Sequence, residues 1–150
     1  MSFPRVIDVD APVVAHHEVE ILAPHDVVWN HHVDVNAWSS WNSDMTSARL
    51  EGPFAPGSEF DWESYGFPVT STIYVVEPQQ RILWGGVAGG ITGIHEWLFT
   101  PTDVGVHVET YESFAGAPVE ADVAGMTSML DTSLVAWLHQ LKAAAERAAV

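Results

Sequence analysis

Apolar and polar residues alternate along most of the chain between Val13 and Phe114. Ser58–Ser64 alternates without a fault, with Phe60 and Trp62 on the apolar face and acidic residues on the other. This two-residue period is typical of a β-strand with one buried and one solvated face. The same pattern predicts strands at residues 13–22, 45–50, 58–64, 69–76, 81–86, 93–99 and 106–114.

The pattern changes after Pro118, where apolar residues recur at spacings of three and four. The residues that carry the new period are Met126, Met129, Leu130, Leu134, Trp137, Leu138 and Leu141. Such spacing predicts one amphipathic helix of roughly 25 to 30 residues near the end of the chain. Two shorter helices are predicted between the first two strands, separated near His31–His32.

Strands with one apolar face need a cover for that face, and only the C-terminal helix is long enough to provide it. We therefore predict an α+β fold in which a curved antiparallel sheet of six or seven strands wraps around this helix. Strands that curl around one helix enclose space, which predicts an internal apolar cavity. Residues 1–12 contain two prolines and no clear period, so they are predicted to form an N-terminal tail before a single domain at residues 13–150.

The turn at residues 77–80 fixes how two of these strands pair. The apolar faces of the two strands agree if Val75 lies beside Ile82. The same register sets Ile73 beside Trp84. We therefore predict these two cross-strand pairs, because a slip of one residue would turn one apolar face to solvent.

The composition narrows the classes of function. The net charge is −15, from 20 acidic and 5 basic residues, so phosphate backbones and anionic membrane surfaces would repel the chain. There is no cysteine, which excludes disulfides and thiolate chemistry. No signal peptide or membrane span is evident, so a soluble cytoplasmic protein is expected. The 7 tryptophans are expected in the core or in the lining of an apolar pocket.

One predicted hairpin carries two ionisable residues on its apolar, aromatic face: His95 in its first strand and Glu112 in its second. A turn centred on residues 102–103 pairs His95 with Thr110. The same register pairs Gly93 with Glu112, so that His95 and Glu112 become diagonal neighbours. A carboxylate beside an imidazole orients the ring and raises its pKa. An oriented imidazole can take a proton from a carbon next to a carbonyl or give one to a leaving hydroxyl.

The alternative for this hairpin is a buried histidine whose hydrogen bonds to Glu112 or Thr110 serve the structure alone. A metal site is not expected from the histidine pairs His16–His17 and His31–His32. Adjacent residues do not share a face of a strand or helix, and the His-Glu-x-x-His pattern of many zinc sites does not occur in the sequence.

Aromatic residues and a few positions on the long helix are the candidates for contacts with a ligand. Flat aromatic side chains can stack on an unsaturated ligand, and methionines adapt to irregular shapes. Core packing is an equally open explanation for several of them. The candidate ligand-binding residues are Trp38, Trp41, Trp62, Tyr65, Trp84, Trp97, Thr110, Met126, Met129, Leu130 and Ser133.

Several short motifs, in this order, cover residues from about 13 to 147. They are Val19-Glu-Ile21-Leu-Ala-Pro24, Val28-Trp29, Trp38-x-x-Trp41, Gly57-x-x-Phe60-x-Trp62, Arg81-Ile82-x-Trp84, His95-x-Trp97-x-Phe99 and Trp137-Leu138. With them the chain resembles the START-like, Bet v 1-like (SRPBCC) superfamily, and within it the polyketide cyclase/dehydratase type. The resemblance implies a helix-grip fold with a deep apolar cavity. It also implies binding of lipids, hormones or polyketides, with cyclisation or dehydration in some members.

Together these observations predict a protein that binds an apolar, polyketide-like small molecule and catalyses its cyclisation or dehydration. His95 is the expected acid/base and Glu112 its partner, and neither a cofactor nor a metal is expected. A role in secondary metabolism, as a monomer or homodimer, fits this interpretation. The alternative is a non-catalytic binding or transport protein for a lipid or another hydrophobic metabolite. A weaker third interpretation is a protein-interaction module or a stress protein that uses the same fold.

Overall fold

The computed structural model describes residues 2–150 and contains seven strands and four α-helices in that range. The strands are β1 (Val13–Ile21), β2 (Met45–Leu50), β3 (Glu59–Ser64), β4 (Phe67–Glu77), β5 (Arg81–Ala88), β6 (Ile91–Pro101) and β7 (Val106–Ala115). The helices are α1 (His25–Val33), α2 (Trp38–Trp41), α3 (Ala117–Ala121) and α4 (Val123–Ala148), with a 3-10 turn at Val35–Ala37.

All seven strands form one antiparallel sheet in the order β1-β7-β6-β5-β4-β3-β2. The sheet is curved, and α4 packs against its inner face along β1 and against α1. Asp122 caps the N-terminus of α4, where its carboxylate accepts a hydrogen bond from the Gly125 amide at 3.0 Å. This architecture confirms the predicted α+β helix-grip fold. No helix within residues 2–150 has both the length and the apolarity needed to cross a bilayer.

The register of the β6–β7 hairpin differs from the predicted one by two residues. Pro101 pairs with Val106, so the loop has four residues, 102–105, and is not centred on residues 102–103. Thr102 and Gly105 close this loop with two hydrogen bonds, one of 2.9 Å between their main chains and one of 3.0 Å from the Gly105 amide to the Thr102 hydroxyl. A shift by an even number leaves every side chain on its predicted face.

A bulge changes the predicted pairing of β4 with β5. Ile73 lies opposite Trp84 as predicted, but Val75 lies opposite Leu83 and not opposite Ile82. The register shifts between Ile73 and Val75, which turns Val75 onto the outer face of the sheet. There Val75 and Leu83 form a small apolar cluster with Ile7. Through Ile7, the segment predicted as a tail at residues 1–12 therefore covers part of the outer face; Met1 of that segment lies outside the described residues.

The glycine at the end of the β6–β7 loop has a specific steric role. A Cβ atom at Gly105 would collide with the carbonyl oxygen of Ile21 and approach the Cα atom of Leu22 to 3.1 Å. Ile21 pairs with Val106 at the end of β1. The absence of a side chain at residue 105 therefore allows β1, β6 and β7 to meet in the register that places the site described below.

We expect Gly105→Ala to lower the free energy of unfolding by about 2 kcal/mol or more, because main-chain atoms must move to admit the methyl group. Val104→Ala is the matched control in the same loop. Val104 is 73% exposed, so its truncation is expected to change stability by less than about 0.5 kcal/mol. Urea unfolding measures both variants, and equal stability of the two would contradict the steric role of Gly105.

Candidate functional site

His95 and Glu112 lie directly opposite each other in neighbouring strands, on the inner face of the sheet. The distance between His95 Nδ1 and Glu112 Oε1 is 3.4 Å. The side chain of His95 is 1% exposed and that of Glu112 is 14% exposed. The two-residue correction of the register therefore brings this pair into closer contact than the predicted diagonal arrangement.

Thr110 fixes which nitrogen of His95 carries the proton. The Thr110 hydroxyl donates a hydrogen bond of 2.9 Å to the main-chain oxygen of Glu96. The same hydroxyl lies 2.7 Å from His95 Nε2. Because a hydroxyl has only one proton, it must accept from His95, and the neutral ring therefore carries its proton on Nε2.

The other nitrogen of His95 has a free lone pair on the side of Glu112. Among residues 2–150, Nδ1 of His95 has no hydrogen-bond partner. The 3.4 Å distance to Glu112 is longer than a good hydrogen bond but within reach of a small movement. A protonated Glu112 could donate to this nitrogen, and a ligand could also place a proton there.

Burial holds both members of the pair in their neutral forms. Burial, together with the nearby His32, moves the pKa of His95 well below its ordinary value. Burial also raises the pKa of Glu112 to about 8. The sequence predicts that Glu112 raises the pKa of His95, and the direction found is the opposite one. The reason is that loss of hydration disfavours the charged form of each group.

Three indole rings surround the imidazole of His95. The ring centre of His95 lies 4.8 Å from Trp84, 5.1 Å from Trp97 and 5.3 Å from Trp137. Trp84 and Trp97 come from the sheet, and Trp137 reaches the sheet from α4. The candidate site is therefore a polar pair enclosed by aromatic side chains.

Six of the seven tryptophans fall into two groups by hydrogen bonding. The indole of Trp38 donates to the main-chain oxygen of His32 at 2.8 Å, and that of Trp62 donates to the Ser71 hydroxyl at 3.0 Å. A second group has buried N–H groups that meet no acceptor in the described part of the chain: Trp41, Trp84, Trp97 and Trp137. An unpaired buried donor destabilises the folded state. A ligand with acceptor atoms near these four N–H groups would remove that cost by forming the missing hydrogen bonds.

Aromatic side chains pack closely against one another between α4 and the sheet. Trp137 lies 5.4 Å from Trp38 and 5.9 Å from Trp84, ring centre to ring centre. Two cavities, of about 470 and 480 Å³, open to solvent elsewhere, near His25 and Pro101. Neither of them lies between α4 and the sheet. A ligand that enters between Trp137 and its aromatic neighbours must displace them, because ring centres 5.4 and 5.9 Å apart leave no room for another ring.

The other candidate residues lie in three places: at the surface, in a separate apolar cluster, and in the interior around His95. Tyr65 is 58% exposed at the β3–β4 turn, where burial and the neighbouring Asp44 raise the pKa of its hydroxyl, while Ser133 acts against that shift. Leu130 and the half-buried Met126 pack in a separate apolar cluster, and Met129 is exposed. Trp38, Trp62, Trp84, Trp97 and Thr110 lie in or against the interior that contains His95.

Two residues of this interior are missing from the sequence-based candidates: His32 and Trp137. Trp137 carries the apolar period of α4, which marks it as buried but not as a neighbour of His95. His32 follows the buried residues Val28 and Trp29 by four and three positions. That spacing puts all three on one face of a helix, so helical periodicity was a usable signal for the burial of His32.

A separate group of polar side chains lies on the outer face of β1 and β7. One ligand atom each of His16, Glu18 and Glu109 lies within 4.8 Å of the others. Imidazole and carboxylate groups are ligands for several divalent metals. The side chains of His16 and Glu18 are 41% and 53% exposed, so water can hydrate them and we assign no metal to them.

A model of the polyketide cyclase/dehydrase and lipid transport family matches residues 12–146 of the chain. No curated protein matches the sequence at a significant level. Among solved structures, a hypothetical protein from Helicobacter pylori is similar over 97% of this chain and 99% of its own length, with a TM-score of 0.81 and 20% identity.

Two aromatase/cyclase structures are also similar to this chain. The Zhui aromatase/cyclase from Streptomyces sp. R1128 is covered to 93%, against 89% of this chain, with a TM-score of 0.77 and 18% identity. The di-domain ARO/CYC StfQ from the steffimycin biosynthetic pathway gives a TM-score of 0.73 and 18% identity over 92% of this chain, which spans only 52% of that protein. At these identities the likeness concerns the fold.

The raised pKa of Glu112 makes part of the stability depend on pH. In the unfolded chain this carboxyl ionises near its ordinary value of 4.5, whereas in the folded protein it keeps its proton up to about pH 8. The folded state thus binds more protons between these values, and the contribution to stability falls as the pH rises through that window. Glu112→Gln removes this dependence.

Urea unfolding of wild type and Glu112→Gln at about pH 5 and about pH 8.5 measures the effect. We expect the wild type to lose more stability than the variant between the two values. Glu59→Gln, at an exposed position of β3, is the control and should follow the wild type. Parallel losses in wild type and Glu112→Gln would contradict a protonated Glu112 at neutral pH.

Proposed function

Because the chain belongs to the polyketide cyclase/dehydrase and lipid transport family, we propose that it binds an apolar, polyketide-like small molecule between α4 and the sheet and catalyses its cyclisation or dehydration. The observation that carries this proposal is the buried pair of His95 and Glu112, 3.4 Å apart. The pair offers one free basic nitrogen and one carboxyl proton in a space enclosed by indoles.

The neutral pair provides the proton acceptor and the proton donor that both reactions need. His95 Nδ1 accepts the proton from a carbon next to a carbonyl group, since a neutral imidazole is a general base. In cyclisation, the electron pair of that C–H bond forms a C–C bond to a second carbonyl carbon, whose oxygen takes the proton of Glu112. In dehydration, the electron pair forms a C=C bond, and the β-hydroxyl group leaves as water with the proton of Glu112.

The two protein groups return to their starting state without a further reactant. After either reaction His95 is an imidazolium and Glu112 a carboxylate. Proton transfer from Nδ1 to the carboxylate, across the 3.4 Å contact, makes both groups neutral again. Burial favours this return because it disfavours both charged forms. Thr110 keeps the ring oriented throughout, through the hydrogen bond at Nε2.

The indoles supply binding and positioning in this proposal. Trp84, Trp97 and Trp137 have N–H groups without an acceptor among the described residues, and a ligand with several carbonyl oxygens provides acceptors. These rings can turn to admit a ligand without breaking a hydrogen bond, unlike Trp38. Holding two reacting carbons of one flexible chain together lowers the entropic part of the activation barrier. In favourable cases this effect reaches about 7 kcal/mol or more.

A second candidate function is non-catalytic binding and transport of a lipid or other hydrophobic metabolite. The packed aromatic interior favours this transport function. A ligand that pushes the indole rings aside is surrounded by them, and is therefore shielded from water and held by apolar contacts. The same N–H donors would bind its polar atoms without any proton transfer. In that case the ligand is recovered unchanged, and substitution of His95 affects retention only through packing.

Dehydration of the bicyclic β-hydroxyketone 3-hydroxytetralone to 1-naphthol tests the acid/base role, because the product is fluorescent and aromatic. We expect the wild type to accelerate this reaction. His95→Ala and Glu112→Gln should each lower kcat by about 100-fold or more, as for loss of a general acid or base. Product formation is followed by naphthol fluorescence.

Two controls accompany this assay. His139→Ala removes an exposed histidine of α4 and should keep the wild-type rate. Thermal unfolding of each variant confirms that the fold is retained. Wild-type rates in both His95→Ala and Glu112→Gln would rule out the pair as the acid and base. Binding of the ketone by the wild type without turnover would favour the transport function.

A further inference from the structure

His32 is a buried residue whose ring nitrogens take no part in the proposed proton transfer. It lies in α1 with none of its surface exposed. Neither Nδ1 nor Nε2 of its ring has a hydrogen-bond partner within residues 2–150. Its neighbour His31 differs in this respect, because His31 Nδ1 bonds to the main-chain oxygen of Val27 at 2.8 Å.

The surroundings of the His32 ring are aromatic. Its ring centre lies 4.4 Å from Trp97, 5.5 Å from Trp38, 5.8 Å from Phe99 and 6.4 Å from Trp137. Burial lowers the pKa of His32 to about 3. The ring is therefore neutral at ordinary pH, with one N–H donor and one lone pair.

His32 belongs to the same interior as the His95–Glu112 pair. Trp97 and Trp137 each neighbour both imidazoles: the ring of His95 lies 5.1 Å from Trp97 and 5.3 Å from Trp137. A ligand that displaces Trp137 to reach His95 thus also comes into the range of His32. Both histidines therefore line the aromatic interior that the ligand is proposed to occupy.

The energetic cost of His32 calls for a partner. A buried donor or acceptor without a partner destabilises the folded state, and His32 leaves one of each. Phenylalanine has a similar shape and would pack among the same aromatic rings without that cost. A hydroxyl group both donates and accepts hydrogen bonds, so it can pair with either nitrogen of the ring in either tautomer.

We propose that His32 is a ligand-binding residue that recognises a hydroxyl group on an aromatic ligand, in the same interior as the His95–Glu112 pair. This inference rests on the proposed function, since it assigns the ligand to the same space. It narrows the ligand class from apolar molecules in general to hydroxylated aromatic ones. It also gives His32 a role in selecting the ligand, separate from proton transfer.

Binding of 1-naphthol and naphthalene, followed by quenching of tryptophan fluorescence, tests the inference. We expect the wild type to bind 1-naphthol at least about tenfold more tightly than naphthalene, the effect of one good hydrogen bond. A purely apolar site would give the reverse order, because naphthalene is the more hydrophobic probe. In His32→Phe the preference for 1-naphthol should disappear, while naphthalene binds as well as before or better.

His31→Phe is the matched control, since it changes the adjacent histidine, whose ring already has a partner, and it should keep the preference. We also expect His32→Phe to unfold at a higher temperature than the wild type, because the unpaired polar atoms are removed. A preference for 1-naphthol that survives in His32→Phe would overturn the role of His32 and leave the proposed function intact. Failure of the wild type to bind either probe would overturn both.

A second measurement, by NMR spectroscopy, follows the binding of both probes to the wild-type protein alone. The ring ¹⁵N resonances of His32 in the wild type, assigned by their absence in His32→Gln, report on its hydrogen bonds. Saturation with 1-naphthol should shift them, whereas naphthalene should leave the nitrogens unpaired and shift them far less. Equal shifts with both probes, or none with 1-naphthol, would contradict a hydrogen bond between His32 and the hydroxyl group.

Discussion

Desolvation of the inner face of the sheet is the constraint on which both the stability of this fold and the chemistry of its polar side chains depend. Full burial of one large apolar side chain stabilises a protein by about 1.5 to 3 kcal/mol. An unpaired indole N–H costs a comparable amount at most. The tryptophans between α4 and the sheet therefore still favour the folded state although four of their N–H groups meet no acceptor in the described structure.

The same desolvation sets the protonation of the polar residues in this interior. Exposed on a surface, His95 and Glu112 would form an ordinary ion pair at neutral pH. Between the sheet and α4, burial shifts the pKa of each toward its neutral form, which leaves a carboxyl proton beside a basic nitrogen. A site of this kind holds both an acid and a base ready, and its groups can exchange a proton directly. His32 is kept neutral by the same cause.

Local pattern and three-dimensional packing contributed differently to the fold. The two-residue period predicts β2 at its observed bounds, and the three- and four-residue spacing predicts α4. The register of strand pairing was harder to predict from the sequence, because turns and bulges change it by one or two residues. The loop closed by Thr102 and Gly105 moved one hairpin by two residues, and the bulge before Val75 moved another by one.

The sequence by itself determined that His95 and Glu112 share an apolar face, because side chains alternate along a strand and an even shift of register preserves that face. Tertiary structure alone decided the rest of the site. Several properties of the site depend on atoms that are distant in sequence. They are the direct opposition of the pair, the tautomer set by Thr110, the pKa shifts, the packed interior and the place of His32 beside Trp97. Desolvation acts between such atoms, so no local pattern of residues contains it.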